Sequence, residues 1–292
     1  MRGSIYKNLL RQKEKHLQLQ IKRSNRCRIR VDQHVTQPTL FYVNPSTGFI
    51  RKLPAPSYPY GNDICKCGFG YVSATDDYKV VLSTFVEGQR FFEIFSWRAN
   101  SWKMIQAPLF EEDEIVSIDD GISSKGTVLN EALHWIEMFA RPRRDKAKAV
   151  VLVFDLVKEE FQKLPLPNIV NYKERSWTLG VSGGCLSVAS IQKNTVQLWI
   201  MREYKVPESW EKLSEFRVGV NAPFISNSME LLIYWESFVL MLRSGEKLIR
   251  FDFKEGGKTE KKDMVCSRDK SEYKMTNFDV IGYVESLLRP YD

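Results

Sequence analysis

The chain has no apolar run long enough to cross a membrane as a helix, which takes about 20 residues; its purely apolar stretches are only a few residues long. No charged-then-apolar leader opens it, so secretion is not expected. Histidine is scarce, with three in 292 residues, which leaves few candidates for a general base or a metal ligand. The five cysteines, Cys27, Cys65, Cys67, Cys185 and Cys266, are odd in number and scattered. That pattern argues against a disulfide framework and fits a reducing compartment, cytosol or nucleus. Beyond the first 30 residues, no segment keeps a 3.6-residue apolar period, which argues against a helical body.

Positive charge is lacking where it would matter for nucleic acid. The formal net charge is +7, but ten of the 43 Lys and Arg fall in residues 1–30, beside a single acid, Glu14. The other 262 residues hold the remaining 33 bases and 35 acids. A nearly neutral body offers no field to a phosphate backbone, so no nucleic-acid partner and no membrane partner are expected. The head, with KRSNRCRIR at 22–30, reads as a solvated linker, an import patch or an organelle-targeting helix. Ile5, Leu9, Leu10 and Leu17 fall loosely on one helical face, so a short basic helical segment is expected there.

What is present is a repeat. Residues 151–167, VLVFDLVKEEFQKLPLP, match residues 40–56, LFYVNPSTGFIRKLPAP, at a shift of 111, and residues 92–108, FEIFSWRANSWKMIQAP, at a shift of 59, both without a gap. The apolar residues that close each unit are Leu53, Ile105, Leu164, Leu213 and Met264, spaced by 52, 59, 49 and 51. Periods near 50 are those of four-stranded propeller blades. The intervals supply hairpins about Ala74–Asp77, Asn130–Glu131, Gly183–Gly184 and Glu236–Ser237, in runs rich in β-branched and aromatic residues. Four full units result, 68–108, 126–167, 178–216 and 230–265, with a half-unit at 40–54 and a strand at 278–288. The fold expected is all-β: a propeller-like ring of about five four-stranded antiparallel sheets, one incomplete. An open stack of sheets is the alternative. Ring closure would pair 278–288 with 40–54, because both are otherwise orphan edges. Residues 1–39 read as a basic N-terminal segment and 40–290 as the β domain.

Chemistry is sparse. Gly68-Phe-Gly70 brushes a phosphate-loop pattern but precedes strands, so it reads as a turn glycine pair. Cys65-Lys-Cys67 lacks metal-ligand spacing and a second pair, so no metal is expected. His134, between Leu133 and Trp135, has no nucleophile or acid partner and reads as structural. The acid run at 111–114 could supply the carboxylate pair of a propeller hydrolase, but four adjacent acids read more simply as a solvated loop. No catalytic residue and no cofactor are expected. Trp102, Phe161 and Trp210 occupy equivalent repeat positions and are expected to be buried. Contact candidates for a partner are Arg141, Arg143 and Arg144, a basic loop suited to an acidic or phosphorylated protein, and Trp177, an aromatic outside the repeat pattern. Segments 106–125, 139–149 and 167–177 are the candidate binding loops.

Seven motifs occur in a set order: NPSTGFIRKLP (44–54), GFGYVSATDDYKVV (68–81), ANSWKMI (99–105), LNEALHWI (129–136), VFDLVKEEFQKLPLP (153–167), VQLWIMREYKVPESWEKL (196–213) and YVESLLRP (283–290). In that order they resemble the F-box-associated domain of the large plant F-box family, which includes kelch-like propellers. The resemblance implies the substrate-recognition part of an SCF-type ubiquitin ligase receptor. In that family the F-box holds the Skp-type adaptor and the cullin scaffold, and the β domain captures a protein substrate. Residues 1–39 do not resemble an F-box, and EKHLQLQIKRSNR (14–26) resembles the linker that follows one. Binding of the adaptor and cullin is therefore expected only where an F-box is supplied. A decoy that binds the same substrate without recruiting the ligase is the alternative.

Overall fold

The computed structural model describes residues 18–21, 40–44, 49–57, 64–86, 89–106, 115–116, 125–141, 144–167, 175–192, 195–217, 229–234, 237–244, 247–253 and 259–264. They form five antiparallel sheets in chain order. The first contains β1 (Gln18–Ile21), β2 (Leu40–Asn44) and β3 (Phe49–Lys52). The second contains β4 (Ile64–Val72), β5 (Asp77–Val86), β6 (Gln89–Ser96) and β7 (Ser101–Ile105). In the third, β10 (Ala132–Arg141), β11 (Arg144–Asp155) and β12 (Glu160–Pro165) are complete. Its fourth place is shared by two short strands that both pair with β10, β8 (Ile115–Val116) and β9 (Thr127–Leu129). The fourth contains β13 (Arg175–Ser182), β14 (Cys185–Gln192), β15 (Thr195–Met201) and β16 (Trp210–Arg217). The fifth contains β17 (Met229–Tyr234), β18 (Ser237–Ser244), β19 (Lys247–Phe253) and β20 (Thr259–Met264). The first strands follow one another side by side, β1 by β4, β4 by β9, β9 by β13 and β13 by β17, the arrangement of a propeller-like fold.

The period-2 alternation of the strands explains why the sheets stack. Val80 and Leu82 of β5 face a cluster with Leu40, Tyr42 and Leu53 of the first sheet, while Val81 faces the third. On β11, Leu152 and Phe154 look back at the second sheet, and Val151 and Val153 look forward at Trp177, Leu186 and Val188 of the fourth. Each core cluster therefore lies between two sheets, with both faces of a sheet buried.

Two hairpins use the tight loop in which both central residues are left-handed and match the strand twist. They are Asn130–Glu131 (φ 50° and 52°) and Gly183–Gly184 (φ 52° and 76°), at the positions expected from the sequence. The turn after β17 falls one residue earlier than expected, since Tyr234 pairs with Ser237.

Two expectations are corrected. Gln18–Ile21, assigned to a helical head, pair instead as β1 along β2, in register from Gln18 opposite Val43 to Ile21 opposite Leu40. β2 thus lies between β1 and β3, and the outer edge of β3 has no strand partner among the described residues. Residues 278–288 themselves lie outside the described residues, as do Ile5, Leu9, Leu10 and Leu17. Gly68 and Gly70 are not turn glycines; they lie inside β4. A Cβ on Gly68 would sit 2.7 Å from Leu133 and 2.9 Å from Trp135 of the third sheet, and one on Gly70 would strike Leu156. They are bare because the neighbouring sheet comes too close for a side chain. The Trp135 indole fills the space, donating from Nε1 to the Cys67 carbonyl at 3.0 Å, and the Gly126 amide donates to the same carbonyl at 2.7 Å.

Trp102, Phe161 and Trp210 hold matching places on the outermost strands but are half-buried rather than buried. The outermost strand has a neighbouring sheet on fewer sides, so these rings close the rim of the interface. Trp102 donates from Nε1 to the Pro54 carbonyl at 2.9 Å, and Trp210 to the Pro165 carbonyl at 3.0 Å, in each case reaching the preceding sheet. Phe161 fills the same place with no N–H and packs on Phe92 of the preceding sheet at 4.6 Å between ring centroids.

Gly68→Ala is expected to destabilise the fold by about 1–3 kcal/mol through overpacking against Leu133 and Trp135. Urea unfolding of the variant and the wild type measures it; equal midpoints would show that the sheets are not in close contact there. Trp210→Phe keeps an aromatic ring but removes the donor and part of the indole's packing, so a loss of about 1–2 kcal/mol is expected. Phe161→Leu gives the comparison in which no hydrogen bond is at stake.

Candidate interaction face

In an antiparallel sheet, successive connections alternate between two ends. The first and third connections of the second, third and fourth sheets therefore share one face: Ser73–Asp76, Trp97–Asn100, Asn130–Glu131, Leu156–Glu159, Gly183–Gly184 and Arg202–Ser209. On this face Asp76, Asn100, Asn130, Glu131, Glu159 and Lys205 all have positive φ, a conformation that costs a non-glycine residue free energy unless its surroundings fix it.

Hydrogen bonds within and between sheets hold several of these turns. Glu131 accepts the Ser73 amide on Oε1 at 2.6 Å and the Leu156 amide on its own carbonyl at 2.9 Å. Glu159 is held by Lys79 at 2.9 Å and by Lys103, both from the second sheet. Burial raises the Glu159 carboxyl's pKa, but the hydrogen bonds and charges of Lys103 and Lys79 outweigh it and hold the group below its usual range. Asp155 Oδ1 accepts the amides of Val157 and Lys158 at 3.0 and 2.9 Å and so caps its own turn.

The fourth sheet departs from its neighbours. Where the second and third sheets use four-residue turns, it runs from Arg202 to Ser209 before β16 begins. Ser209 braces this excursion, accepting the Glu203 amide at 3.0 Å and sharing its hydroxyl with the Glu203 and Val206 carbonyls. Tyr204 anchors it to the third sheet through His134, which is fully buried. His134 donates from Nδ1 to the Thr127 carbonyl at 3.0 Å and accepts the Tyr204 hydroxyl on Nε2 at 3.0 Å. The imidazole is thus held neutral in one tautomer and serves the structure. Burial pushes its pKa down from 6.5 to about 4, aided by the Lys205 charge and opposed by the Thr127 carbonyl. Burial, with the Asp155 carboxylate, pushes Tyr204 up to about 12.

Exposed apolar side chains gather on this face. Of the five large exposed ones among the described residues, Val128, Val157 and Val206 belong to the turn face of the third and fourth sheets. A shallow depression is lined by Asp155, Lys158, Glu160 and Phe161 of the third sheet and Lys205 of the fourth.

The contact residues expected from the sequence lie elsewhere. Arg141 and Arg144 face each other across the β10–β11 hairpin on the opposite face, at strand ends rather than in a loop. Arg143 lies outside the described residues, as do most of 106–125 and the acid run at 111–114. Trp177 is corrected outright: it is 2% exposed, within the core between the third and fourth sheets. It escapes the repeat pattern because it comes from an inner strand, β13, and not because it faces solvent. Lys158, Lys205, Val157 and Val206 were not singled out by sequence reasoning. The available signal was the extra length of REYKVPES (202–209) against the four-residue turns of the other units.

Among the described residues no group of three or more His, Cys, Asp or Glu is placed to hold a metal ion, and no helix is long and apolar enough to cross a membrane.

Residues 8–290 match the family model of the F-box associated beta propeller domain. The chain belongs to that family. F-box protein CPR1 of Arabidopsis thaliana is 30% identical over 238 residues, covering 73% of this chain and 56% of that protein. F-box/kelch-repeat protein At3g23880 of the same plant is 24% identical over 264 residues, covering 87% and 65%. The F-box associated chain thus spans roughly half to two thirds of the curated relatives it matches. Among solved structures, TolB from Acinetobacter baumannii aligns with 77% of this chain and 48% of its own at 10% identity, with a TM-score of 0.45, too low to carry any argument.

The His134 arrangement fixes a pH dependence. The folded-state pKa lies below the unfolded value, so the unfolded chain binds the proton first. The neutral latch contributes its full stability above pH 6.5 and loses it as the pH falls towards 4. The expected loss across that window is ~3 kcal/mol. Unfolding free energies of wild type and His134→Gln, measured by urea at pH 7.5 and pH 4.5, check it through their difference. If the two fall in parallel, His134 is not the proton acceptor.

Proposed function

We propose that this domain is the substrate-recognising part of an SCF-type ubiquitin ligase receptor and that it works by non-covalent capture of a protein. The observation that carries the reading is the family match along residues 8–290, supported by relatives named as F-box proteins. The physical character of the turn face agrees with it. Interlocked turns on a rigid stack of sheets present exposed valines among charged groups, the mixed chemistry of a protein contact. His134, the buried histidine, is committed to two hydrogen bonds and has no nucleophile to activate, which supports a role without catalysis. The adaptor and cullin would join through an F-box, and the cytosol or nucleus is the location this role requires.

The test adds a relative's F-box in frame upstream of the chain and reconstitutes the ligase with adaptor, cullin and E2 enzyme. The fusion is expected to bind the adaptor and to ubiquitinate at least one protein of a plant extract that the F-box alone leaves unmodified. The chain without the added F-box is expected not to bind the adaptor. A fusion that engages the adaptor but modifies nothing beyond the F-box control rejects the receptor role.

A further inference from the structure

We propose that the C-terminal stretch FDVIGYVESLL (278–288) docks as the innermost strand of the first sheet. It pairs antiparallel with the free edge of β1, from Gln18 opposite Ile281 to Ile21 opposite Phe278, and so closes the sheets into a ring. Such closure goes beyond the receptor reading, since it joins the two ends of the chain whatever the domain captures.

The first sheet lacks its innermost strand among the described residues. At the repeat shift of 111, Leu40 and Tyr42 of β2 fall on Val151 and Val153 of β11, and Leu53 falls on Leu164. The packing agrees: the first three join a cluster with the following sheet, as the second three do. β2 and β3 therefore hold the third and fourth places of their sheet. β1 holds the second, touching β4 as β10, the second strand of the third sheet, touches β13. Beyond β1 no strand is paired among the described residues, where the other sheets have their first strand. An open edge of this kind is a template for one more strand. Ile50 gives a second sign. It falls on the position of Trp102, Phe161 and Trp210, which are half-buried against the preceding sheet, yet it is 62% exposed, the most of any large apolar side chain described. The first sheet is thus built to follow another, and around a ring that other is the fifth.

The occupant is legible in the strands that hold the first place elsewhere. β4 ends in Phe69-Gly70-Tyr71-Val72, and β13 ends in Leu179-Gly180-Val181-Ser182, each with glycine three residues before its hairpin turn. At Gly70 the reason is visible, since a Cβ there would strike Leu156 of the next sheet. Ile281-Gly282-Tyr283-Val284 repeats this order and shares Gly-Tyr-Val with β4. The chain can also arrive there. Thirteen residues separate β20 from Phe278, against nine between β12 and β13 and eleven between β16 and β17, which make the same crossing from an outermost to an innermost strand. No second strand has to follow, because β1 already holds that place, and the chain ends at Asp292. The register follows from the complete sheets. Val80 lies between Phe69 and Phe95, and Leu133 between Val128 and Phe154. Gln18 lies opposite Val43, which the repeat shift places on Phe154. With Gly282 in the place of Gly70, Ile281 takes the place of Phe69, opposite Gln18.

The test is disulfide trapping in the full chain. One variant carries Gln18→Cys with Ile281→Cys, and a second carries Leu19→Cys with Val280→Cys. Successive opposed pairs alternate between two spacings, so one of the two variants suits a disulfide. The control carries Gln18→Cys with Val284→Cys, three positions out of register. After mild oxidation, mass spectrometry of the protease digest identifies the joined positions, and gel filtration separates links within a chain from links between chains. At least one in-register pair is expected to join within the monomer, with about tenfold or more linked product than the control, because the bond forms only between Cα atoms some 5–6 Å apart. The linked protein is expected to unfold at a higher temperature than the same protein reduced, since the bond closes a loop over almost the whole chain. Equal linking of the control, no link by either in-register pair, links only between two chains, as for a strand exchanged between copies, or a linked protein no more stable than the reduced one overturns the proposal.

Discussion

Burial on both faces is the constraint on which the rest of this structure depends. A sheet with one apolar face can rest against a single partner and show the other side to water. Here Leu152 and Phe154 of β11 point one way and Val151 and Val153 the other, and all four are buried. The third sheet therefore needs both the second and the fourth. The same need explains the bare backbone at Gly68 and Gly70, because apolar stacking brings β4 against Leu133, Trp135 and Leu156. Once the sheets are that close, their turns meet as well. The inter-sheet bonds of Glu131, Glu159 and Tyr204 are consequences of the stacking rather than its cause, and they convert a packed interior into a rigid face.

Polar groups inside the stack serve a different end. Glu137 is 1% exposed and accepts Arg90 at 3.0 Å, with Lys66 at 3.7 Å. Lys66 also donates to the Ile136 carbonyl at 2.9 Å. The second carboxylate oxygen of Glu137 has no hydrogen-bond partner among the described residues. Desolvation makes such a group a poor source of net stability. What it can supply is discrimination, since a wrong neighbour would leave Glu137 buried without a cation. Between sheets that are apolar on both sides, as the second and third are, apolar contacts alone distinguish neighbours weakly. Charges shared by the second and third sheets favour one order over others.

Sequence reasoning succeeded where a local rule decides the structure. The units read as 68–108, 126–167, 178–216 and 230–265 correspond to sheets spanning 64–105, 115–165, 175–217 and 229–264. Alternation, turn residues and the spacing of closing apolar residues are all local signals. Failures occurred where the deciding neighbour is distant in sequence. Gly68 follows from Trp135, 67 positions later. Trp177 looked free because nothing nearby in sequence claims it, whereas the third sheet does. Gln18–Ile21 carries no strand signature that survives its basic surroundings, and only an open edge on β2 makes it a strand. Lys158 and Lys205 stand 47 positions apart and line one depression only because two sheets stack.

Recognition on a repeated scaffold has to arise where the repeat is broken, because features shared by every sheet are already spent on packing the next one. Trp102, Phe161 and Trp210 illustrate the shared part: equivalent in place, each is turned to the preceding sheet. The excursion at 202–209 illustrates the broken part. It adds length without adding a strand, and a longer loop costs little closure entropy. Left unsupported it would be mobile, and any contact that ordered it would cost conformational entropy. Instead Ser209 ties it internally and Tyr204 fastens it to a histidine kept neutral by burial. The cost of ordering the backbone of this excursion is thus met during folding. A buried histidine without catalytic company acquires a role on this view: it transmits the rigidity of the third sheet to the one loop of the fourth that departs from the pattern.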